Sequence, residues 1–482
     1  MHFVIKLFPE IVIKSPPVRR QQSKTLEDNI RRLVKPLSKG MEVVRDWEKL
    51  ELICDNDNPE VRMAVIDRLS CIPGISKFSE SETHEFESLE HICSLSVEKY
   101  REVIKGKSFG VRSKRSGDQD FNSMDVERAV GSALMVQTKA DSVNLTNPDL
   151  WVELEVRQDR VFMLGETWPG LGGFPLGSQD KLISLISGGF NSSVSSFQSI
   201  RQGMLTHFIF FNIGGRAHEI AVREMVHHIW SRYGSSHNSR FISVPFEQIV
   251  VEISKKAPSS YSTVLLKVFM MRCASKVAVD NNIDAISTGE SVGQVSSQAL
   301  SNLRLIDEDS KCLVMRPLIN MDKGEIIDIA RKIGTAQMVE GSPEYCGLRS
   351  DRRTARARRD KIEAIEALLD PNLVDEAVAQ AQQMLVSKII EDIATLPVDI
   401  LPVAPAGAVI VDVRHPDERL DRELELEGSE VIVLPFYEIQ KTYMDQPQDR
   451  SYLLYCERGI MSRLHAELLL EAGYKNVGVY RP

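Results

Sequence analysis

Short apolar runs alternate with longer, partly apolar stretches through the middle of the chain, from about residue 178 to residue 340. The longer stretches, such as Ala217–Tyr233 and Leu265–Asp280, predict helices. The short runs are rich in β-branched and aromatic residues and predict five strands: Leu182–Ile186, Thr206–Phe211, Phe241–Val244, Asp284–Thr288 and Cys312–Arg316. This alternation favours a doubly wound parallel sheet, whose ligands bind outside the carboxyl ends of its strands.

Shorter elements precede the central sheet and predict α+β folds. Residues 1–60 form a predicted ferredoxin-like domain with strands Phe3–Ile5, Ile11–Ile13 and Glu42–Val44 and helix Thr25–Val34. Residues 61–167 form a second predicted domain with helices Val61–Leu69 and Met124–Leu134 and strands Ser108–Arg112 and Leu150–Val156. A joint rich in Gly and Pro, Trp168–Pro175, leads into the central domain.

The central domain, placed at residues 178–390, ends in a charged segment that predicts helix from Arg356 to Leu396, broken at Pro371. Three prolines, Pro397, Pro402 and Pro405, then predict a stiff linker. The last domain, residues 404–482, is predicted to be α/β, with one apolar strand ending at Cys456 and a helix over Leu464–Ala472.

The loop after the first central strand carries the strongest chemical signal, Ser187-Gly188-Gly189-Phe190-Asn191-Ser192. Two glycines allow backbone angles closed to other residues, so several N–H groups can converge on one anion. Ser187 and Ser192 add hydroxyl donors, and the predicted helix from Ser193 adds a partial positive charge. No lysine closes the loop as in G-x-x-x-x-G-K-[ST]. The pattern predicts a nucleotide-binding loop, with an ordinary turn as the alternative.

This loop resembles the SGGxDS pyrophosphate loop of enzymes that split ATP between its α and β phosphates to adenylate a substrate. Asn191 stands where that family has aspartate. A carboxylate orders hydroxyls or a metal through charge-assisted bonds, which are about twice as strong as neutral ones. The substitution therefore predicts adenylation that is slowed, lost, or supported by another acid.

The net charge of −9 is unevenly distributed. From Glu391 onward there are 17 acidic and 9 basic residues, so the rest of the chain is close to neutral. Basic residues cluster there in three segments, 19–39, 105–115 and 349–359. Such patches are compatible with nucleic-acid binding, and solvated surface is the alternative interpretation.

Seven cysteines form no C-x-x-C pair and no zinc spacing, which argues against structural disulfides and predicts no metal site. His218, His227 and His228 share a predicted helix without a cysteine or carboxylate at ligand spacing, so core or surface positions are expected. Charged residues and Pro9 interrupt the N-terminal apolar residues, and no apolar run approaches the roughly 20 residues of a membrane helix. These features predict a cytoplasmic protein without a membrane segment.

Two further resemblances lie on either side of the central domain. Residues 109–115, 125–128 and 143–149 resemble a THUMP domain, an RNA-binding module, so Lys107, Arg112, Lys114 and Arg115 are candidate RNA contacts. Val409–Arg414 and Leu453–Arg463 resemble a rhodanese domain. In that loop Cys456 precedes a predicted helix, with Arg458 and Arg463 near in sequence, and such surroundings favour a thiolate or persulfide.

From end to end the chain resembles the tRNA 4-thiouridine synthetase family in its long form with a rhodanese extension. The resemblance implies thiolation of uridine 8 in tRNA, with ATP and Mg²⁺, and sulfur supply for the thiazole of thiamine. The implied partners are tRNA, a cysteine desulfurase that donates a persulfide to Cys456, and a thiamine sulfur-carrier protein.

The resemblance also assigns roles residue by residue. Lys323 falls on a lysine of the adenylation site, and Cys346 on a second cysteine that closes a disulfide with Cys456 during turnover. Spacing alone leaves Cys346 equally compatible with a structural role. The implied ATP contacts are Leu185, Ile186, Ser187, Gly188, Gly189, Ser192, Lys267, Gly289 and Gln298. Because of Asn191, an alternative function is an RNA-binding persulfide carrier for thiazole synthesis with an impaired adenylation site.

Overall fold

The computed structural model of the protein describes residues 1–45, 49–56, 58–213, 215–340, 354–394, 398–405, 407–414, 419, 424, 426, 430–434, 439, 443, 446, 447, 449–456 and 460–482. The chain divides into two compact units, Met1–Ser178 and Gln179–Pro482. None of the helices in the described ranges is both long and apolar enough to cross a membrane.

The N-terminal unit is built on one mixed eight-stranded sheet with the order β2-β3-β1-β4-β8-β7-β5-β6. Its strands are β1 (His2–Leu7), β2 (Glu42–Arg45), β3 (Lys49–Ile53), β4 (Ile75–Glu85), β5 (Ser108–Ser116), β6 (Ser142–Val143), β7 (Leu150–Arg157) and β8 (Arg160–Pro169). Its helices are α1 (Pro9–Val12), α2 (Pro16–Val34), α3 (Pro59–Ser70), α4 (Leu89–Tyr100) and α5 (Ser123–Gln137).

The predicted strand Ile11–Ile13 is wrong, because this segment forms α1 and its end. Pro9 occupies the first helical position, where its fixed φ favours a helix and its missing N–H costs nothing. Ile11 is fully buried whereas Ile13 is 81% exposed, so the apolar run does not enter the sheet. A three-residue apolar run cannot distinguish a single helical turn from a strand.

Two separate cores support this sheet. One packs Phe3, Ile5 and Phe78 with the apolar faces of α2 and α3, and the other packs Phe109 and Met163 with α4 and α5. Along the chain, the buried residues of the first core end at Phe78 and those of the second core begin at Ile92. The predicted domain boundary at residue 60 stays a prediction.

The second unit contains the predicted doubly wound sheet, in the order β13-β12-β9-β10-β11-β14. Its strands are β9 (Gln179–Leu185), β10 (Met204–Asn212), β11 (Arg240–Pro245), β12 (Ala285–Ser287), β13 (Leu313–Met315) and β14 (Gln382–Leu385). The strands β9 to β13 pair in parallel, as predicted, and β14 joins the edge of β11 antiparallel.

Helices cover both sides of this sheet. They are α6 (Phe190–Arg201), α7 (Gly215–Ile229), α8 (Glu247–Lys256), α9 (Ser259–Asp280), α10 (Leu300–Asp307), α11 (Lys323–Lys332), α12 (Ala336–Glu340), α13 (Arg359–Glu366), α14 (Leu373–Ala379) and α15 (Ile389–Ala394). The prediction of helix throughout 356–396 is therefore wrong at β14. Gln382 and Gln383 carry no strand signal, and β14 forms because the open edge of β11 supplies backbone partners.

A smaller five-stranded parallel sheet completes the second unit, in the order β15-β19-β18-β16-β17. Its strands are β15 (Ile400–Leu401), β16 (Val409–Asp412), β17 (Glu430–Val433), β18 (Tyr452–Tyr455) and β19 (Val477–Tyr480), and helix α16 (Ile460–Glu471) follows β18. Part of the segment predicted to be a stiff linker, Ile400–Leu401, instead forms strand β15. Ile400 and Leu401 pair with β19 and form the edge strand of the sheet, where the following Pro402 is tolerated.

Candidate active site

The nucleotide loop lies between the carboxyl end of β9 and the start of α6. Gly188 has φ of +85°, and a Cβ there would lie 3.1 Å from Val222 Cγ2, so glycine is required for two reasons. The helix begins at Phe190, earlier than predicted, so Asn191 and Ser192 belong to its first turn. The backbone N–H groups of this turn have no partner within the helix and point toward the loop.

Hydroxyl groups brace the loop from within. The Ser187 N–H donates to Ser192 Oγ at 3.2 Å, and the Ser192 hydroxyl donates to the Gly189 carbonyl at 3.1 Å. The two hydroxyl oxygens are 3.2 Å apart. Ser192 is buried, so its hydroxyl fixes the shape of the loop, whereas the half-buried Leu185 and buried Ile186 form its approach.

Asn191 links this loop to the segment that follows β12. Its Nδ2 donates to the Gly289 carbonyl and to Gln294 Oε1, each at 3.0 Å. Its Oδ1 accepts from Lys323 Nζ at 3.4 Å. An aspartate has no proton to donate to these acceptors at neutral pH, so the amide makes contacts that the family's residue cannot make.

Gly289 and Lys267 adjoin the same link. A Cβ on Gly289 would lie 2.6 Å from the Asn191 carbonyl carbon, so only glycine fits between α6 and β12. Lys267 Nζ donates to Glu290 Oε1 at 2.6 Å, and Arg316 Nε donates to Glu290 Oε2 at 2.9 Å. Burial tends to raise the pKa of Glu290, but the two cations outweigh it and hold the pKa below its usual value. The structure thus brings Lys267, Gly289 and Lys323 together around the loop.

Gln298 lies on a short 3₁₀ turn, Ser296–Gln298, beyond Gly289. Its side-chain carbonyl oxygen is buried and makes no hydrogen bond with any described residue. A buried amide oxygen without a donor is costly, so this atom is suited to accept from a ligand.

His218 is a contact that sequence reasoning did not find. It lies in the first turns of α7, is 8% exposed, and stands edge-on to Phe210. Its Nε2 is 3.0 Å from the Ser187 carbonyl, and because a carbonyl accepts, the imidazole donates. Burial lowers the pKa of His218, which favours the neutral ring. No spacing in the sequence signals this contact, because 31 residues separate the partners.

Cys456 follows β18 and is 7% exposed. The backbone N–H of Ser462, in the first turn of α16, donates to its Sγ at 3.3 Å, and the thiol is 3.4 Å from Ser462 Oγ. Burial and the nearby Arg481 lower the pKa of Arg463, while Cys456 acts in the opposite direction. This is the predicted position between a strand and the first turn of a helix.

Three predicted features need separate mention. Cys346 and Arg458 lie outside the described residues, so the pairing of Cys346 with Cys456 stays a prediction. Cys273 is a buried core residue, and burial raises the pKa of its thiol to about 12.

No group of three or more His, Cys, Asp or Glu side chains suited to a metal occurs in the described ranges. The loop carboxylate is replaced by Asn191, and Glu290 is held by two cations. The described side chains at the loop therefore do not fit a protein-held Mg²⁺ site.

The candidate RNA contacts lie on and near β5. Arg112 and Lys114 are exposed, whereas the alternate residues Val111 and Ser113 are buried. The Arg112 guanidinium lies 3.6 Å from the centre of the Trp151 ring, and Arg115 donates to the Gln119 carbonyl at 2.9 Å. Lys107 is exposed just before β5.

A groove of about 670 Å³ extends from this strand across the same sheet. Its lining includes Lys114 and Arg115 together with four cations that sequence clustering did not bring together, Lys6, Lys49, Lys77 and Arg157. Glu155 lies in the groove and binds Lys49 Nζ at 2.6 Å and Arg157 at 3.0 Å. These residues come from strands far apart in sequence, so a search for charge runs misses them.

The fold and site define a class: a multidomain α/β enzyme that joins a nucleotide-binding loop domain to a rhodanese-type cysteine domain. Three family models match it, described as Thiamine biosynthesis protein (ThiI) over residues 177–370, THUMP domain over 86–164, and Rhodanese-like domain over 402–481. The tRNA sulfurtransferases of Shewanella baltica and Saccharophagus degradans are each 44% identical to it, over 100% of both chains. The chain belongs to the tRNA sulfurtransferase family, which confirms the predicted family, fold class and enzyme class.

Solved structures agree with this assignment. A 4-thiouridine synthetase–RNA complex with bound ATP is similar to 80% of this chain and 99% of its own, with 25% identity and a TM-score of 0.69. PH1313 from Pyrococcus horikoshii is similar to 69% of this chain and 100% of its own, with 19% identity and a TM-score of 0.53. The second similarity shows the fold.

Proposed function

We propose that this protein transfers sulfur from a persulfide on Cys456 to uridine 8 of tRNA, in an ATP-dependent reaction that gives 4-thiouridine. The observation that carries the proposal is the arrangement at the carboxyl edge of the central sheet. There Lys323 contacts Asn191 in the first turn after the glycine-rich loop, and Lys267 pairs with Glu290, the neighbour of Gly289, which supports a phosphate site at this edge. The solved relative with bound ATP and RNA supports the same substrates.

In this proposal ATP binds with its phosphates against the loop and the first turn of α6. Gly188 and Gly189 offer backbone donors, Ser187 offers its exposed hydroxyl, and the positive helix terminus adds to the attraction. Lys323 and Lys267 carry the positive charges that balance the phosphates. The buried Gln298 oxygen would accept a hydrogen bond from the adenine amino group.

Adenylation makes the uridine oxygen a leaving group. The uridine O4 attacks the α-phosphate of ATP, and pyrophosphate leaves. The terminal sulfur of the Cys456 persulfide then attacks C4, the C4–O bond breaks, and AMP leaves with the electron pair. The nucleobase is now joined through sulfur to Cys456.

Release of the product requires a second cysteine, for which we propose Cys346. Its thiolate attacks Cys456 Sγ, and the bond between Sγ and the transferred sulfur breaks. The electron pair stays on the nucleobase sulfur, which gives 4-thiouridine and a Cys346–Cys456 disulfide. A cellular dithiol reductant supplies the two electrons that restore both thiols.

The tRNA would bind the N-terminal unit through Lys107, Arg112, Lys114 and Arg115. The groove across the same sheet adds four more cations, and salt-dependent contacts to phosphates dominate such affinities. The Arg112 guanidinium lies over the Trp151 ring. The N–H groups at the edge of the guanidinium would then donate to a phosphate or a base.

We further propose that a cysteine desulfurase loads Cys456 and that the protein passes sulfur to a thiamine sulfur-carrier protein in the cytoplasm. The family model described as a thiamine biosynthesis protein supports this second outlet. The alternative, a persulfide carrier with impaired adenylation, rests on Asn191. The contacts of its amide with Gly289 and Gln294 argue instead for an intact loop.

The test is incubation of the protein with unmodified tRNA, ATP, cysteine and a desulfurase, with 4-thiouridine followed by its near-ultraviolet absorbance. We expect absorbance that depends on ATP and on Cys456. Persulfide loading without thiolation would favour the carrier function and contradict the proposal.

A further inference from the structure

Helix α7 contacts the rhodanese-type domain through an ion pair. Arg216, in the first turn of α7, places Nη1 3.2 Å from Glu467 Oε1. The Glu467 side chain is 7% exposed, whereas that of Arg216 is 55% exposed. Glu467 lies on α16, the helix whose first turn holds Cys456 through Ser462. A nearly buried carboxylate gains from a nearby cation, which makes this pair more than a surface contact.

The same turn of α7 also contacts the nucleotide loop. His218, two residues after Arg216, donates to the Ser187 carbonyl. Val222, one helical turn further, is the side chain that a Cβ on Gly188 would approach. One short segment of α7 therefore contacts both the rhodanese-type domain and the loop at the end of β9.

A short stretch of α16 separates the residue that contacts Cys456 from the residue that pairs with Arg216. Ser462 and Glu467 are five residues apart on α16, which corresponds to about 8 Å along the helix axis. Ser462 contacts Cys456 Sγ directly. A helix is rigid over such a length, so the position of Glu467 is linked through Ser462 to that of Cys456 Sγ.

We propose that the first turn of α7 is the docking surface for the rhodanese-type domain, and that the Arg216–Glu467 pair orients Cys456 toward the nucleotide loop. This inference rests on the proposed function, because it concerns how sulfur on Cys456 reaches an adenylated nucleoside. Arg216 and Glu467 are positioning residues in it: neither contacts the reacting atoms, and both set the approach of the domain that carries the sulfur.

The test variant is Arg216→Glu, which places two carboxylates against each other while the substituted position itself is exposed. The matched control is Arg331→Glu on α11, an exposed arginine paired with Asp328 at 3.2 Å on its own helix. Each full-length protein is loaded with labelled sulfur on Cys456, mixed with tRNA and ATP, and followed through a single turnover. Hydrogen exchange of the amides in α7 and α16 is measured in parallel.

We expect Arg216→Glu to slow the transfer at least tenfold and to speed exchange of the hydrogen-bonded amides of α16 around Glu467, with unchanged sulfur loading and tRNA affinity. Arg216→Lys should recover most of the rate, and Arg331→Glu should match the wild type. Equal transfer rates or unchanged exchange in Arg216→Glu would overturn the docking surface. Failure of the wild type to thiolate tRNA would instead contradict the proposed function, and the exchange result would still decide the docking surface.

Discussion

The junction between β9 and α6 and the junction between β18 and α16 share one backbone arrangement. In each, a buried parallel strand ends in a loop, and the first turn of a helix directs N–H groups at that loop. They differ in the source of the negative charge. At β9 the loop offers glycines and hydroxyls, and the ligand brings the phosphate charge. At β18, in our proposal, the chain itself supplies the anion, as a persulfide on Cys456.

The comparison shows why the two loops have different sequences. A loop that receives an anion needs room, so Gly188 and Gly289 occupy positions where a Cβ would meet other atoms. At the second junction Ser462 contacts Cys456 Sγ with both its N–H and its hydroxyl, which suits a sulfur that acts as a nucleophile in our proposal. Helix termini favour both arrangements, and the side chains decide which chemistry follows.

The largest expected effect concerns Cys456, the proposed carrier of the sulfur. Cys456→Ser should take up no labelled sulfur from a desulfurase and form no 4-thiouridine, because a hydroxyl cannot hold a persulfide. Cys346→Ser should still load sulfur but fail to release it repeatedly. Equal labelling of Cys456→Ser and wild type would assign the sulfur to a different cysteine.

Gly188→Ala tests the requirement for room in the nucleotide loop. An alanine at φ of +85° costs about 1–2 kcal/mol, and its Cβ would press on Val222, so we expect ATP affinity to fall about tenfold or more. Gly189→Ala is the matched control, because its Cβ would have no atom closer than 3.8 Å. ATP binding is measured by calorimetry, and equal losses in both variants would show that the backbone angle of Gly188 is not the cause.

For the Asn191→Asp variant, the family pattern and the contacts in the structure predict opposite changes in the rate of thiolation. The family pattern predicts that restoring the carboxylate speeds thiolation. The structure predicts the reverse, because the amide donates to Gly289 and Gln294, and two lost hydrogen bonds cost about 1 kcal/mol each, of which the charged contact of the new carboxylate with Lys323 restores about one. We expect single-turnover thiolation at limiting ATP to slow about fivefold, with Cys456 loading unchanged. A faster variant would mean that the carboxylate matters more than the link.

The smallest expected effect concerns RNA. Replacing Lys114 and Arg115 with alanine should weaken tRNA binding and reduce the slope of its salt dependence, by roughly 0.7–0.9 for each lost phosphate contact. Arg331→Ala combined with Lys332→Ala, at two exposed positions in the second unit, serves as a control with the same loss of two positive charges. An unchanged slope in the double variant would show that both residues are ordinary surface.

The sequence predicted those features that depend on residues close together in the chain. The five parallel strands and the loop at Ser187 follow from apolar runs and turn residues, and Cys456 follows from its position between strand and helix. Three features did not follow. β14 and β15 form because a sheet edge recruits them, His218 reaches the loop from another element, and the groove gathers cations from five strands or loops. Each depends on contacts distant in sequence.

The most direct measurement is a single turnover with Cys456 preloaded with labelled sulfur and with ATP labelled in its α-phosphate. If the two junctions act in sequence, label reaches tRNA only when ATP is present, and AMP and 4-thiouridine form in equal amounts. Transfer of the label to tRNA without ATP, or AMP release without thiolation, would contradict this account.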